Sequence, residues 1–248
     1  MNPDKAPTKP EKSVDQEKIR ESTASLVNKI GELQHRLYAE SKKSLLVILQ
    51  GMDASGKDGA IKNVFAEVNP MGSKVISFKK PTSYEFSFDF LWRIHANVPP
   101  AGMIHIFNRS HYEDIIVPAV EGYITEKIID KRYNQINDFE KMLEENGTTV
   151  LKFFLNVSHK EQQERLKERM TNPEKFWKHK DADWETTKKW DQYMKVYDQI
   201  FDKCAVTPWH IIPSDKNWYK EFVMAEKVLE ALAKIDPQYP DLVTTMKV

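Results

Sequence analysis

Continuous apolar runs recur along the chain and predict the strands of a buried sheet. Four long runs and a shorter fifth lie at residues 44–50 (SLLVILQ), 74–78 (KVISF), 103–107 (MIHIF), 149–155 (TVLKFFL) and 209–212 (WHII). Parallel strands that are covered on both faces have unbroken apolar runs instead of alternating apolar and polar residues. Stretches of helical character separate the runs, which favours helices on both faces of the sheet. The pattern therefore predicts a three-layer α/β/α fold around a five-stranded parallel sheet.

Helical periodicity is clearest in two segments. Between residues 14 and 40, apolar residues recur at spacings of four, three and four, at Leu26, Ile30, Leu33 and Leu37, which is the spacing of one helix face. A second helix is predicted to start at Asp183 and to end before Val206. Its apolar side is formed by Trp190, Tyr193, Met194, Tyr197, Ile200 and Phe201.

Three S/T-x-x-E patterns mark predicted helix starts. They are Thr82 with Glu85, Ser110 with Glu113, and Ser158 with Glu161. In a capping box of this kind, each side chain of the pair accepts a hydrogen bond from the backbone N–H of the other residue.

The first fifteen residues differ in composition from the rest of the chain. Pro3, Pro7 and Pro10 lie among charged residues, and such a segment buries too little apolar surface to become ordered by itself. No internal repeat or linker divides the residues that follow. We therefore expect a flexible tail over residues 1–15 and a single domain over residues 16–248.

Composition excludes several classes of protein. The 37 basic and 37 acidic residues cancel, so no overall field draws the chain to nucleic acid or to an anionic membrane. The single cysteine, Cys204, excludes an intramolecular disulfide and a multi-cysteine zinc site. No apolar run approaches the roughly 20 residues that cross a bilayer, and the N-terminus lacks the apolar core of a secretory signal. We expect a cytoplasmic enzyme that binds neither nucleic acid nor membranes.

A glycine-rich loop follows the first predicted strand directly. Residues 51–57 (GMDASGK) match the pattern G-x-x-x-x-G-K, and a helix with an apolar stripe follows. In such a loop the backbone N–H groups and the helix dipole point at a phosphate, and the lysine supplies a positive charge. The alternative, a glycine turn with a solvated lysine, does not account for this strand–loop–helix context. The residues expected to bind phosphates are Gly51, Ala54, Ser55, Gly56, Lys57 and Asp58.

A second polar cluster, residues 108–114 (NRSHYED), follows the third predicted strand. In a parallel sheet the carboxyl ends of the strands border the ligand crevice. Arg109 lies at that edge, where a guanidinium can hold a transferring phosphoryl group with two hydrogen bonds. For Glu113 two interpretations stay open, support of the site and the capping box from Ser110.

The carboxylates near the loop are candidates for a metal site. The usual loop pattern continues with a serine or threonine that holds Mg²⁺, whereas this chain has Asp58. A carboxylate next to phosphates is repelled unless a cation lies between them, so we infer that Asp53 binds Mg²⁺. Because Asn108 is neutral, assistance is assigned to Glu113 or Asp114. Asp58 is equally well explained as an acidic first-turn residue that the helix dipole favours.

A basic segment at residues 170–190 is predicted to form a lid. It follows the fourth strand–helix unit, and Arg165 and Arg169 share one face of the preceding helix. Arginines from a lid neutralise charge during phosphoryl transfer. The alternatives are a solvated charge run and a site for single-stranded nucleic acid, and the zero net charge argues against the second. The cations expected to line a channel are Lys79, Lys80, Arg93, Arg165, Lys175, Lys178 and Lys180.

Five motifs in one order make the chain resemble polyphosphate kinase family 2. They are residues 51–59 (GMDASGKDG), 90–95 (FLWRIH), 107–114 (FNRSHYED), 152–155 (KFFL) and 173–178 (PEKFWK). The resemblance implies a single-domain P-loop kinase fold and a homo-oligomer, either a dimer or a tetramer. It also implies transfer of a phosphoryl group between inorganic polyphosphate and a nucleotide, with Mg²⁺ or Mn²⁺ as the metal.

The resemblance further implies roles for single residues. Asp53 and Lys57 match the essential pair of the family's loop. Arg109 and Arg169 match its two arginines around the transferred phosphoryl group. Many members have aspartate where this chain has Asn108, so that metal ligand is not carried over. The motif with asparagine resembles members that accept both nucleoside mono- and diphosphates.

We therefore expect a reversible polyphosphate:nucleotide phosphotransferase that accepts ADP, GDP and AMP. The attacking phosphate oxygen is already ionised, so positioning and charge neutralisation suffice without a general base. Two alternatives remain. An ATP-dependent nucleoside-monophosphate kinase shares the loop and the lid. A non-catalytic nucleotide- or polyphosphate-binding protein is disfavoured by the presence of Asp53, Lys57, Arg109 and Arg169.

Overall fold

The computed structural model describes residues 3–242 and contains the predicted five-stranded sheet. The strands are β1 (Ser44–Gln50), β2 (Ser73–Ser77), β3 (Ile104–Asn108), β4 (Thr148–Asn156) and β5 (Trp209–Pro213). Their spatial order is β2-β3-β1-β4-β5, and every neighbouring pair is parallel. The predicted α/β fold with five parallel strands is confirmed.

Helices connect the strands and cover the sheet. Over residues 3–242 they are α1 (Gln16–Glu40), α2 (Lys57–Val64), α3 (Trp92–His95), α4 (Glu113–Glu121), α5 (Glu126–Glu145), α6 (His159–Thr171), α7 (Asp181–Lys188), α8 (Trp190–Lys203) and α9 (Asn217–Ile235). Short 3-10 turns lie at Pro3–Lys5, Pro70–Gly72, Glu85–Ser87 and Pro173–Lys178. Within these residues, no helix combines the length and the apolar character that a membrane span requires.

Burial on both faces explains the unbroken apolar pattern of β1. Leu46 and Ile48 belong to the core that the sheet forms with α3, α4, α5 and α8. Leu45, Val47 and Leu49 belong to the core on the opposite face, which includes residues of α1, α2 and α9. Successive side chains of a strand point to opposite faces, so a strand between two helical layers needs apolar residues at every position.

Two boundaries differ from the sequence prediction in a way that affects the site. Strand β3 continues through Asn108, because this residue pairs with Leu49 of β1 and Ser77 of β2. The single helix predicted from Asp183 is instead two helices, α7 and α8, which meet at Lys189. The segment that is predicted to form a lid therefore contains the 3-10 turn Pro173–Lys178 and the short helix α7.

One of the three predicted capping boxes is complete. Thr82 and Glu85 each accept a hydrogen bond from the other's backbone N–H, at 3.2 and 2.6 Å. Ser158 Oγ accepts from the N–H of Glu161 (3.2 Å), but the N–H of Ser158 donates to Asp215 Oδ1 (2.7 Å) instead. The box at Ser110 does not form, because the Glu113 side chain turns towards Arg109.

The N-terminal segment differs from the flexible tail expected over residues 1–15. Residues 3–9 lie against the ends of β4 and β5, and Asn156 Nδ2 donates to the carbonyls of Pro3 (3.1 Å) and Ala6 (3.2 Å). Thr8 O accepts from the backbone N–H of Asp215 at 2.9 Å. Backbone groups of this proline-rich segment thus form hydrogen bonds with side chains and loops of the domain. Residues 1 and 2 lie outside the described part.

Candidate active site

The loop predicted to bind phosphates lies between β1 and α2, at the carboxyl edge of the central strand. Gly51 and Gly56 have φ values of 144° and 94°, a region that glycine enters without steric cost. Ala54 has a φ of 61°, which is costly for a residue with a Cβ. No side chain caps the N-terminus of α2, so the amide groups of its first turn remain free for an anion.

Lys57 is buried within this loop. Its Nζ donates to the carbonyls of Gly51 (2.6 Å) and Met52 (3.0 Å) and to Ser55 Oγ (3.3 Å). Burial, and then the nearby charge of Arg109, lower the pKa of Lys57 to about 8. The three donors of the ammonium are used within the loop, so a phosphate oxygen that binds Lys57 would replace one of these partners.

Arg109 joins the two carboxylates that the sequence assigned to the metal. It follows β3 directly, with a φ of 64°, and its guanidinium donates to Asp53 and to Glu113 Oε2 (3.4 Å). The charges of Glu113 and Asp53 raise the pKa of Arg109, against the effect of burial. The Glu113 carboxylate therefore pairs with Arg109 and does not form the predicted capping box.

A second arginine joins the end of α6 to the segment that is predicted to form a lid. Arg169, near the end of α6, donates to Asp183 Oδ2 of α7 (2.7 Å) and to Lys178 O (3.3 Å). Burial, and then the neighbouring charge of Asp53, raise the pKa of Asp183. Asp183 thus pairs with Arg169 and is close enough to Asp53 for the Asp53 charge to raise its pKa. From the sequence, Asp183 was predicted only as the start of a helix, and its contact with Arg169 was missed.

Asp58 connects the loop helix to both the sheet edge and the lid. Its carboxylate accepts from Asn108 Nδ2 (2.8 Å) and lies 3.6 Å from Lys178 Nζ. Burial opposes ionisation of Asp58, but the Asn108 amide and the Lys178 ammonium hold its pKa below the ordinary value. Asp58 thus links the first turn of α2 to Asn108 at the sheet edge and to Lys178.

Five of the predicted channel cations are lysines, which lie in two parts of the chain. Lys178 contacts the loop helix, Lys175 pairs with Glu168 (2.6 Å) on α6, and Lys180 is exposed at the start of α7. Lys79 and Lys80 are exposed in the loop after β2. All five lysines are exposed or partly exposed.

Arg93 and Arg165 differ from the channel prediction. Arg93 is buried and donates to Lys79 O (2.8 Å) and Asp114 Oδ2 (3.2 Å). Arg165 donates to Ala54 O (3.0 Å), to the carbonyls of Ser214 and Asp215 at 2.8 and 3.1 Å, and to Glu161 (2.9 Å). Their donors are used within the protein, because buried carbonyls and carboxylates need partners. Both arginines therefore stabilise the loops around the site through these hydrogen bonds.

Two buried lysines were not singled out from the sequence. Lys220, from α9, donates to Gly56 O (3.1 Å) at the end of the phosphate loop. Lys152, from β4, donates to Tyr112 Oη (2.8 Å) and Glu140 Oε2 (2.7 Å) below the second polar cluster. For Lys152 a signal existed, since a charged residue interrupts an otherwise apolar strand. Lys220 lies in an ordinary amphipathic helix sequence, which gave no such signal.

The carboxylates of Asp53 and Glu113 supply part of the ligand set that a small hard cation such as Mg²⁺ requires. Over the described residues, no group of three or more His, Cys, Asp or Glu side chains is arranged to hold a metal ion. Asp53 and Glu113 nevertheless converge on one guanidinium. Mg²⁺ is commonly bound by one or two carboxylates together with substrate phosphates, so two oxygen ligands next to the phosphate loop suffice.

This chain is similar to known proteins both in sequence and in structure. The family model described as Polyphosphate kinase 2 (PPK2) matches residues 13–240. The AMP/ADP-polyphosphate phosphotransferase of Meiothermus ruber is 45% identical over 222 residues, 89% of this chain and 83% of that protein. The ADP-polyphosphate phosphotransferase of Rhodopseudomonas palustris is 35% identical over 239 residues, 91% of this chain and 83% of that protein. The crystal structure of polyphosphate kinase 2 from Arthrobacter aurescens has a TM-score of 0.87 at 36% identity, covering 97% of this chain and 92% of that one.

Proposed function

The chain belongs to the polyphosphate kinase 2 family, and from this premise we propose that AMP and ADP are its acceptors and that Asp53, Lys57, Arg109 and Arg169 carry the reaction. As a family member it is a phosphotransferase that moves a phosphoryl group between inorganic polyphosphate and nucleotides. The observation that supports the residue roles best is the placement of Arg109. It lies beside the phosphate loop and joins Asp53 to Glu113.

Both AMP and ADP are proposed as acceptors on two grounds. The Meiothermus relative is named for AMP and ADP. In this chain the end of β3 carries the neutral Asn108, whose amide group is bonded to Asp58. A neutral group at this edge adds no repulsion towards an acceptor phosphate. GDP is proposed as a further acceptor, from the family resemblance.

The reaction is an in-line exchange of one anhydride for another. A terminal phosphate oxygen of the nucleotide attacks the end phosphorus of polyphosphate, a new P–O bond forms, and the bond to the next phosphate unit breaks. Lys57 and the amides of the first turn of α2 hold the phosphates, and Arg109 and Arg169 neutralise charge on the transferring group. Because the bond made resembles the bond broken, the transfer is readily reversible.

Asp53 and Glu113 are proposed to hold Mg²⁺ or Mn²⁺. Both carboxylates face the same guanidinium beside the phosphate loop, which brings oxygen ligands close to the bound phosphates. When bound, the metal would neutralise phosphate charge without any exchange of protons.

The five accessible lysines are proposed to guide the polymer. Lys79, Lys80, Lys175, Lys178 and Lys180 supply charges at the sheet edge and the lid, and exposed charges of this kind raise the local concentration of a polyanion. We also propose a homo-oligomer, a dimer or a tetramer, that acts in the cytoplasm without nucleic-acid or membrane partners. The zero net charge and the family resemblance support this.

The test is an acceptor matrix with a matched pair of variants. AMP, ADP, GMP and GDP are each incubated with polyphosphate and Mg²⁺, and product nucleotides are separated by chromatography. Lys57→Ala is expected to lower kcat/KM at least 100-fold, comparable to the loss of one preorganised donor. Lys62→Ala, an exposed lysine on the same helix, is expected to stay within twofold of wild type.

Each alternative has its own result. Phosphorylation of AMP with ATP but not with polyphosphate as donor would indicate a nucleoside-monophosphate kinase. Binding of polyphosphate without any turnover would indicate a non-catalytic protein. Near-normal turnover of a folded Lys57→Ala variant would contradict the proposed role of the phosphate loop.

A further inference from the structure

Lys220 is a buried cation that holds the end of the phosphate loop from another part of the chain. It lies in the first turn of α9 with no exposed surface. Its Nζ donates to Gly56 O at 3.1 Å and to Asn217 Oδ1 at 2.8 Å. The lysine and the glycine are separated by 164 residues, so this contact depends on the tertiary fold.

Gly56 is the residue at which the phosphate loop becomes a helix. Its carbonyl also accepts the hydrogen bond from Ala60 N–H (3.1 Å) that begins α2. A Cβ placed on Gly56 would lie 2.3 Å from Lys220 Nζ and 3.5 Å from Arg165 Nη1. The ammonium and the guanidinium therefore pack directly against the loop, where the φ of 94° already requires glycine.

The two cations bind neighbouring carbonyls of the same loop. Arg165 Nη1 donates to Ala54 O at 3.0 Å, two residues before the carbonyl that Lys220 holds. A carbonyl and the N–H of the same trans peptide point in opposite directions. Fixing the Gly56 carbonyl consequently fixes the direction of the Lys57 N–H, one of the helix-start groups that an anion contacts.

The charge of Lys220 is not matched by its hydrogen-bond partners. Both partners are neutral oxygens, and the adjacent carboxylate of Glu221 is itself hydrogen-bonded by Asn63 Nδ2 (2.8 Å). Burial, and then the charge of Arg165, lower the pKa of Lys220 to about 8. Keeping a cation here costs free energy in the absence of an anion, and a neutral donor could hold the same carbonyl.

We propose that Lys220 is a positioning residue of the phosphate site, which fixes the Gly56 carbonyl and places a positive charge behind the loop that strengthens phosphate binding. This inference rests on the proposed function only for the identity of the bound phosphates. Its effect falls on binding of the phosphate chain and not on the reacting atoms, since Lys220 has no exposed surface and contacts the carbonyl side of the loop.

The test compares three variants on one helix. Lys220→Met removes both the charge and the hydrogen bonds, Lys220→Gln keeps a donor without the charge, and Lys227→Met is the control. Lys227 lies on α9 with its ammonium paired to Glu230. Dissociation constants for inorganic tripolyphosphate are measured by calorimetry, KM and kcat by nucleotide formation, and folding by thermal melting.

Lys220→Met is expected to raise the dissociation constant of tripolyphosphate and the KM for polyphosphate at least tenfold, with kcat at saturation within threefold of wild type. Lys220→Gln is expected to lie between Lys220→Met and wild type, and Lys227→Met to match wild type. If Lys220→Met does not fold, the dissociation constant of Lys220→Gln for tripolyphosphate tests the inference by itself.

Unchanged tripolyphosphate binding in a folded Lys220 variant would overturn the inference, even if its melting temperature falls, because Lys220 would then be structural only. A loss of kcat with unchanged KM would overturn it as well. A wild-type protein that binds tripolyphosphate but transfers no phosphate would refute the proposed function and would leave this comparison of binding constants intact.

Discussion

Replacing Lys152 by methionine is expected to destabilise the protein by about 3–5 kcal/mol. Lys152 has no exposed surface, and its ammonium donates to Glu140 Oε2 (2.7 Å), Tyr112 Oη (2.8 Å) and Cys204 O (3.0 Å). Methionine fills a similar volume but leaves the buried Glu140 carboxylate without its cation. Removing one member of a buried ion pair costs about 3–5 kcal/mol, because the remaining charge is uncompensated.

The expected loss can be read as a shift in melting temperature. For a chain of this size, 1 kcal/mol corresponds to about 2–4 °C, so the midpoint is expected to fall by about 6–20 °C. The matched variant is the double substitution Lys152→Met with Glu140→Leu, which removes both charges and is expected to regain at least half of the loss. Circular dichroism during heating, with urea unfolding as a second measure, gives both values.

Two results would refute this reasoning. A shift of less than about 3 °C in Lys152→Met would mean that the buried carboxylate finds another partner or takes up a proton at little cost. A double variant that is less stable than Lys152→Met would mean that the hydrogen bonds to Tyr112 and Cys204, and not the ion pair, account for the effect.

The ion pair of Lys152 and Glu140 also determines whether stability rises or falls with pH. Burial of Glu140 opposes ionisation, but Lys152 and His111 hold its pKa below the ordinary value. A carboxyl group whose folded pKa is lowered stabilises the fold above its unfolded pKa of about 4.3, and this contribution is lost as the pH falls through the lower, folded value. Glu140→Gln is therefore expected to lower stability at pH 7 and to flatten the acid side of the melting curve. An unchanged slope between pH 3 and 5 would contradict this origin.

Three further outcomes are expected. Arg169→Ala lowers kcat more than tenfold, and Asp183→Asn lowers it less, because Asp183 acts by holding Arg169 (2.7 Å); steady-state kinetics with an unchanged rate for Arg169→Ala would remove it from the site. Raising the ionic strength from 0.05 to about 0.5 M raises KM for long polyphosphate more than KM for ADP, because the exposed lysines are screened; equal shifts would speak against a lysine-lined path. Cys204, whose burial raises the pKa of its thiol to about 12, reacts with a thiol reagent only after denaturant is added, and rapid reaction of the native protein would contradict its burial.

The sheet and the phosphate loop could be predicted because both depend on local sequence. Burial between two helical layers imposes unbroken apolar strands, and β1 contains one from Leu45 to Leu49. The loop follows the end of that strand, and its glycines occupy φ values that favour glycine. Arg109 was also predictable, because the residue after β3 must lie at the same edge of the sheet as the residue after β1.

The direction of long side chains could not be predicted from the sequence. Arg93 and Arg165 have the charge of channel residues, but their guanidinium groups are taken up by backbone carbonyls that only the tertiary fold brings near. Glu113 had two possible partners, and the choice depended on whether Arg109 or the N–H of Ser110 lay closer to its carboxylate. A motif shows which residues are near a site, and the competition among buried hydrogen-bond partners decides what each of them does.

The hydrogen-bond partners also divide the cations around the phosphate loop into two groups with different roles. Arg109 and Arg169 each contact a carboxylate, which a bound phosphate can replace as their partner. Lys57 belongs to the phosphate loop itself and donates to the carbonyls of Gly51 and Met52 and to Ser55 Oγ. Arg165 and Lys220 instead come from α6 and α9 and bind the loop carbonyls of Ala54 and Gly56 from outside the loop. Substitutions in the first group should therefore alter turnover, and substitutions in the second group should alter the affinity of the loop for phosphate. The ratio of the two effects, measured as kcat against dissociation constant, is the quantity that tests whether the loop is held in its binding conformation before the substrate arrives.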